Sequence, residues 1–262
     1  MNLNGKSVVI TGANRGIGWA LAQALASKGS DLGLVVRSKN SVSQDQLESL
    51  KKLGSKKVEI FELDLTRIDQ ISPVMDLVIE KMKPYVVINN AGLLTGGLLE
   101  NQDQDEIVKL IQVNITALTL ITQKFLAHFI KQKEGKIVNN ASVMGAMRFP
   151  ASTVYAGSKA YVIGLTDSLR QETRGTGVTT LVMYTPGVKT DMFDDIADRY
   201  GSHIDLDFLS SIPASEWAKK VVRSMEKDDE EARPSGATGI GLTLSRYFPK
   251  AFEALIATKF HR

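Results

Sequence analysis

The chain has 262 residues, 43% apolar and 23% charged, with Lys and Arg exceeding Asp and Glu by 32 to 29. That length suits one large domain and is short for two typical α/β domains with a linker, so a single unit over residues 1–262 is expected. A formal charge of +3 scattered along the chain argues against a nucleic-acid partner, and the lack of cysteine excludes disulfides, thiolate catalysis and Cys-type zinc sites.

Lys6 to Ile10 is a short β-branched run that stops at Thr11-Gly12, and a helical pattern follows with Ile17, Leu21 and Leu25. A second strand is predicted over Asp31 to Val36, then a helix through Leu47, Leu50 and Leu53, and a third strand over Val58 to Phe61. The helix Ile68 to Met82 precedes a fourth strand, Tyr85 to Ile88. A long helix is predicted from about Asp105 to Lys131, a fifth strand over Lys136 to Val138, and a helix through Tyr155 that ends near Arg174. A sixth strand, Thr179 to Tyr184, closes at Pro186-Gly187, and a helix covers Ala214 to Lys227. Beyond it the charged run Lys227 to Arg233 writes a seventh strand poorly. Apolar strands alternating with helices predict an α/β fold, a Rossmann-type doubly wound parallel sheet in three layers.

The N-terminal residues carry neither a basic n-region nor an apolar h-region, and no run of eighteen apolar residues occurs, so a cytoplasmic location is expected. His128, His203 and His261 lie far apart without metal-ligand spacing, so no metal is expected.

Thr11-Gly12-Ala13-Asn14-Arg15-Gly16-Ile17-Gly18 lies between the first strand and the first helix. There glycines let backbone N–H groups and a helix N-terminus approach a pyrophosphate. The spacing G-x-x-x-G-x-G differs from the G-x-G-x-x-G fingerprint, so position counts with pattern. Where an acid after the second strand would bind the ribose of NAD, this chain has Arg37, Ser38 and Lys39, and Arg15 adds a second guanidinium. No acid is expected to compete with them, and NADP(H) is favoured over NAD(H).

Tyr155 and Lys159 stand four residues apart on a predicted helix, one turn from each other on one face. Taken alone, such a pair is more often a solvated surface pair. With a cofactor site beside it, the lysine charge is expected to pull the phenol below its usual pKa of about 10 and make it an acid/base near neutral pH.

Taken together, these motifs make the chain resemble the short-chain dehydrogenase/reductase family, in its shorter single-domain branch. Besides the glycine turn and Tyr155-x-x-x-Lys159, the resemblance rests on Asp64-Leu65, Asn89-Asn90-Ala91-Gly92, Asn114, Ser142 thirteen residues before Tyr155, and Pro186-Gly187. It implies that Tyr155 is the acid/base, Ser142 holds the substrate oxygen, Lys159 tunes the tyrosine and bonds the nicotinamide ribose, and Asn114 holds a water that links the lysine to solvent. It also implies cofactor contacts for Asp64, Leu65, Asn90, Ala91, Gly92, Pro186, Gly187, Val188 and Thr190, together with homodimers or homotetramers. Asn114 falls on the apolar stripe of its helix, where a buried amide needs partners. Two segments depart from the family pattern. Asn140 stands where the family usually has an aliphatic residue and Ala141 where it often has serine, and Pro186-Gly187-Val188-Lys189-Thr190 is one residue shorter than the usual P-G-x-V-x-T.

The implied reaction interconverts a carbonyl and a secondary alcohol on a small molecule. Leu93, Leu94, Met144, Met147, Phe149, Met192, Phe193 and Phe208 suit an apolar substrate under a lid at about 188–212, and equally suit packing of that lid onto the body. From 242 to 262, Phe252, Leu255, Ile256 and Phe260 recur at helical spacing beside Arg246, Lys250, Lys259 and Arg262. This tail suits packing on the lid or on a partner subunit more than peripheral contact with a membrane. The competing function is a catalytically idle NADP(H)-binding regulator, against which the intact set Tyr155, Lys159, Ser142 and Asn114 argues.

Overall fold

The computed structural model describes residues 1–201, 203–204 and 211–262, the side chains of 197 and 198 excepted. The order begins β1 (Ser7–Thr11), α1 (Gly16–Ala26), β2 (Asp31–Val36), α2 (Gln44–Leu53), β3 (Val58–Glu62), α3 (Ile68–Met82) and β4 (Val86–Asn89). It continues with α4 (Gln104–Ile111), a π-helical segment (Gln112–Ala117), α5 (Leu118–Gln132), β5 (Gly135–Asn140), α6 (Met144–Met147), α7 (Thr153–Glu172) and β6 (Val178–Met183). The remainder is β7 (Gly187–Lys189), α8 (Asp191–Tyr200), β8 (Ser211–Pro213), α9 (Ala214–Glu226), β9 (Glu231–Ala232), α10 (Gly236–Tyr247) and α11 (Pro249–Ala257).

Seven strands form one sheet in the order β3-β2-β1-β4-β5-β6-β9, every neighbouring pair parallel. The order reverses between β1 and β4, which opens a crevice at the C-terminal strand ends. Strand alternation divides the core. Val8 and Ile10 join Leu21 and Leu25 of α1 and Trp217 and Val221 of α9 on one face, while Val9 joins Met75, Ile121 and Phe125 on the other. Each fully buried side chain of this kind stabilises the fold by about 1.5–3 kcal/mol. The poorly written seventh strand is the two-residue β9, paired only through Val182↔Glu231 and Met183↔Ala232.

The predicted long helix is continuous from Gln104 to Gln132, but its middle turn is π rather than α. It is long and apolar enough to cross a membrane. Here Val113, Ala117, Leu118, Ile121, Phe125 and Phe129 are buried, and the helix packs on α3, β4 and β5. The C-terminal tail is two helices, α10 and α11. Phe252 and Ile256 are buried in a cluster with Phe149, Tyr200 and Ile204, and Phe252 meets Phe149 edge-on at 6.0 Å. Leu255 points outward and is 54% exposed. The packed face of α11 therefore lies against Phe149, Tyr200 and Ile204.

Candidate active site

A cleft of about 900 Å³ lies over the crevice at the C-terminal ends of β1, β4, β5 and β6. Gly12, Asn14, Arg15, Gly16, Ile17 and Gly18 form one end of it. Gly12 has φ +65°, and a Cβ there would lie 3.0 Å from Ala91 Cα. A Cβ on Gly18 would lie 2.1 Å from the Gly12 carbonyl oxygen, so no side chain fits. No side chain caps the N-terminus of α1 and no acid stands in its first turn. Its leading N–H groups thus remain available to an anion, with the positive end of the helix dipole behind them. This is the chemistry a dinucleotide pyrophosphate requires, and the residues present fit it.

Arg37 follows β2 and lines the same end, together with Leu63, Asp64, Leu65 and Thr66. The expectation that no acid competes for the arginines does not hold. Asp191, the first residue of α8, forms an ion pair with Arg15 at 2.5 Å, and both side chains are largely exposed. Asp64 accepts hydrogen bonds from Thr66 N at 2.9 Å and Thr66 Oγ1 at 2.8 Å. Those bonds, with the charges of Arg37 and Arg67, hold its carboxyl below the usual range despite partial burial. The sequence marked Asp64 as a cofactor contact but not Asp191, because an ion pair formed across elements leaves no local pattern.

Asn90, Ala91 and Gly92 after β4 line the cleft, as do Pro186, Gly187, Val188 and Thr190. Val188 is buried where β7 pairs with β8, and Thr190 Cγ2 lies 3.2 Å from where a Gly16 Cβ would stand. The shortened segment therefore lies against the glycine turn. Two predicted contacts lie outside the lining. Thr11 is buried, its hydroxyl accepting from Asn90 N and Ala91 N at 3.0 Å each, which joins β1 to the loop after β4. Ser38 stands at the start of a short 3₁₀ turn, where its carbonyl accepts from Ser41 Oγ.

At the other end Tyr155 and Lys159 face inward from α7, both at least nine-tenths buried. Tyr155 faces the side chain of Ser142, which itself accepts from Met144 N at 3.1 Å. Lys159 Nζ donates to the Asn140 carbonyl at 2.8 Å and lies 5.7 Å from the Tyr155 ring centroid. The expected depression of the tyrosine is reversed. Burial pushes Tyr155 up to about 12, opposed only by the neighbouring Ser142 side chain, and burial lowers Lys159 to about 8. Desolvation disfavours both charged forms, and here it outweighs the lysine's attraction for a phenolate.

Asn114 is buried within the π segment, behind the lining. Its Oδ1 accepts from Leu93 N at 2.8 Å, and its Nδ2 donates to Leu93 O at 2.9 Å and Ser158 Oγ at 3.1 Å. A Cβ on Gly92 would lie 3.3 Å from Asn114 Oδ1 and 3.4 Å from Lys159 Nζ, so amide and ammonium flank the same glycine. Leu93, Leu94, Met144, Phe149, Met192 and Phe193 line the apolar half of the cleft, joined by Ile196 and Tyr200 of α8 and by Ile204. Met147 instead lines a neighbouring groove beside α11, and Phe208 lies outside the described residues. Tyr200 donates its hydroxyl to Thr95 O at 2.6 Å.

The short chain dehydrogenase family matches residues 6–201. An uncharacterized oxidoreductase of Staphylococcus saprophyticus is 33% identical over 236 residues, covering 88% of this chain and 94% of its own. A 3-oxoacyl-[acyl-carrier-protein] reductase of Thermotoga maritima is 32% identical over 223 residues, covering 84% of this chain and 87% of its own. Among solved structures, a short-chain dehydrogenase from Sphingobium yanoikuyae in complex with NADPH superposes with a TM-score of 0.77 at 26% identity, covering 96% of this chain and 95% of that one. The cleft and these likenesses agree, and the chain belongs to the short-chain dehydrogenase family and is an NAD(P)-dependent oxidoreductase.

Proposed function

We propose that this protein uses NADPH to reduce the carbonyl of an apolar substrate to a secondary alcohol, with Tyr155 as the proton donor. The observation that carries the reading is a single cleft holding an uncapped helix N-terminus, Arg15 and Arg37 at one end and the Ser142, Tyr155 and Lys159 group at the other. The NADPH-bound relative from Sphingobium yanoikuyae supports the cofactor assignment.

When bound, the reduced nicotinamide supplies the hydride. The glycine turn and the N-terminus of α1 bind the pyrophosphate, and Arg15 and Arg37 recognise the 2′-phosphate. Ser142 Oγ and the neighbouring Tyr155 hydroxyl converge on the substrate oxygen and stabilise the charge that develops there. With its pKa at about 12, Tyr155 is protonated at neutral pH, which is the form a reduction needs. Lys159 holds a positive charge beside the phenol and eases the loss of its proton. Asn114 fixes the Gly92-Leu93 segment next to that ammonium and thereby keeps open the route by which the proton is restored. Lining residues Leu94, Phe149, Met192 and Phe193 exclude water and favour apolar substituents. A self-association face is assigned to α7, where Gly157 and Gly164 look onto open space.

The test is a screen of apolar ketones, aldehydes and their alcohols, following absorbance at the reduced nicotinamide band with NADPH and NADH in parallel. NADPH-dependent reduction of apolar carbonyls is the expected result. A clear NADH preference would overturn the roles of Arg15 and Arg37.

A further inference from the structure

One polar network in the wall of the cleft takes no part in the proton transfer just described, yet it bonds to Lys159, Ser142 and the glycine turn. Asn140 is the last residue of β5, one position beyond the final β4–β5 pair, Asn89↔Asn139. Its Nδ2 donates to Asn90 Oδ1 at 3.0 Å and to Asn90 O at 3.4 Å. Asn90 Nδ2 in turn donates to Thr11 O at 3.0 Å and to Gly12 O at 3.3 Å, inside the glycine turn. On the other side Asn140 Oδ1 accepts from Thr185 Oγ1 at 2.6 Å, which accepts from the buried Trp217 Nε1 of α9 at 3.2 Å. Side chains thus continue the hydrogen-bond ladder across the ends of β1, β4, β5 and β6, where the backbone pairing has stopped.

The same two residues hold the reacting groups by their main chains. The Asn140 carbonyl accepts from Lys159 Nζ, and the Thr185 carbonyl accepts from Val143 N at 3.0 Å and Ser142 Oγ at 3.4 Å. An aliphatic residue, the usual occupant in the resembling family, could offer the carbonyl but neither side-chain bond. Asn140 and Thr185 are both more than nine-tenths buried, so an unmet bond there is costly.

Resting on the reading that Lys159 and Ser142 serve NADPH-dependent reduction, we infer that Asn140, braced by Thr185, is a positioning residue that locks the acceptor carbonyl of Lys159 to the glycine turn, so that cofactor site and proton site share one frame. Among titratable groups, Tyr155 lies beside Lys159 on the same helix, Tyr200 from α8 stands near Tyr155, and no carboxylate among the described residues forms an ion pair with Lys159. Releasing the carbonyl weakens the bond to the ammonium, and Lys159 then loses its proton at a lower pH.

The experiment compares wild type with Asn140→Ile, Thr185→Val and Thr185→Ser, each checked for folding by circular dichroism. The readouts are the pH profile of kcat/KM and the NADPH dissociation constant from quenching of tryptophan fluorescence. The alkaline limb is expected to move down by about one pH unit, a tenfold change in the proton equilibrium, in Asn140→Ile and Thr185→Val. It is expected to return to the wild-type position in Thr185→Ser, which keeps the hydroxyl donor. NADPH binding is expected to weaken several-fold in Asn140→Ile because Asn90 loses its brace. Folded variants whose limb and NADPH affinity match wild type would overturn the network's role. Wild-type protein that neither binds nor oxidises NADPH would instead overturn the functional reading beneath it.

Discussion

At neutral pH a phenol whose burial holds its pKa near 12 keeps its proton, the form that the proposed reduction requires of Tyr155. Its neighbour sets the alkaline boundary. Lys159 is held at about 8, so its ammonium is complete well below that pH and is lost as the pH rises through it. If the charged lysine is the active form, kcat/KM for reduction is expected to decline above about pH 8, and a flat profile to pH 10 would remove Lys159 from that role. Asp191 makes a second expectation at this scale. It occupies Arg15 in an exposed ion pair, which is typically worth no more than about 1 kcal/mol. Asp191→Asn should therefore tighten NADPH binding by roughly two- to fivefold at low salt, with the gain fading as salt rises. Calorimetric titration at two ionic strengths checks this.

At the scale of elements, the π segment places Asn114 where one regular α turn was expected. π turns often mark functional positions in long helices, and this one lets a buried amide bond the backbone of Leu93 on both sides. Asn114→Leu would strand Leu93 N and O and is expected to cost about 1–3 kcal/mol, read as a lower denaturation midpoint together with slower turnover. Much of this scale was legible in the sequence. β-branched runs, the glycine turn and the Tyr155 to Lys159 spacing placed the sheet, the turn at one end of the cleft and the helix that carries Tyr155 and Lys159. The parts that were not legible depend on distant partners. Nothing local marks the π turn, the Arg15 to Asp191 pair or the bonds from Asn140 to Thr185 and Asn90, and Asn140 stood out only as a departure from the family pattern. The seventh strand was faint because two residues, Glu231 and Ala232, carry it. The direction of the Tyr155 shift was misjudged for a similar reason: spacing shows that a lysine is near, while burial is a property of the whole fold.

At the scale of the molecule, a parallel sheet with helices on both faces supplies a rigid edge, and the tail packs beside the cleft. Phe252 and Ile256 of α11 share a cluster with Phe149, Tyr200 and Ile204, so the C-terminal helix supports the wall of the cleft. Phe252→Ala is expected to destabilise by roughly 3–5 kcal/mol in urea unfolding and to raise KM for apolar carbonyls. Unchanged stability would detach α11 from that wall. The account as a whole rests on the claim that Tyr155 delivers the proton in a cleft loaded with NADPH. The most direct test measures NADPH binding and NADPH-dependent carbonyl reduction for wild type and Tyr155→Phe side by side. Equal NADPH affinity with turnover reduced by about 10²- to 10⁴-fold is the predicted result, and wild-type turnover by Tyr155→Phe would contradict it.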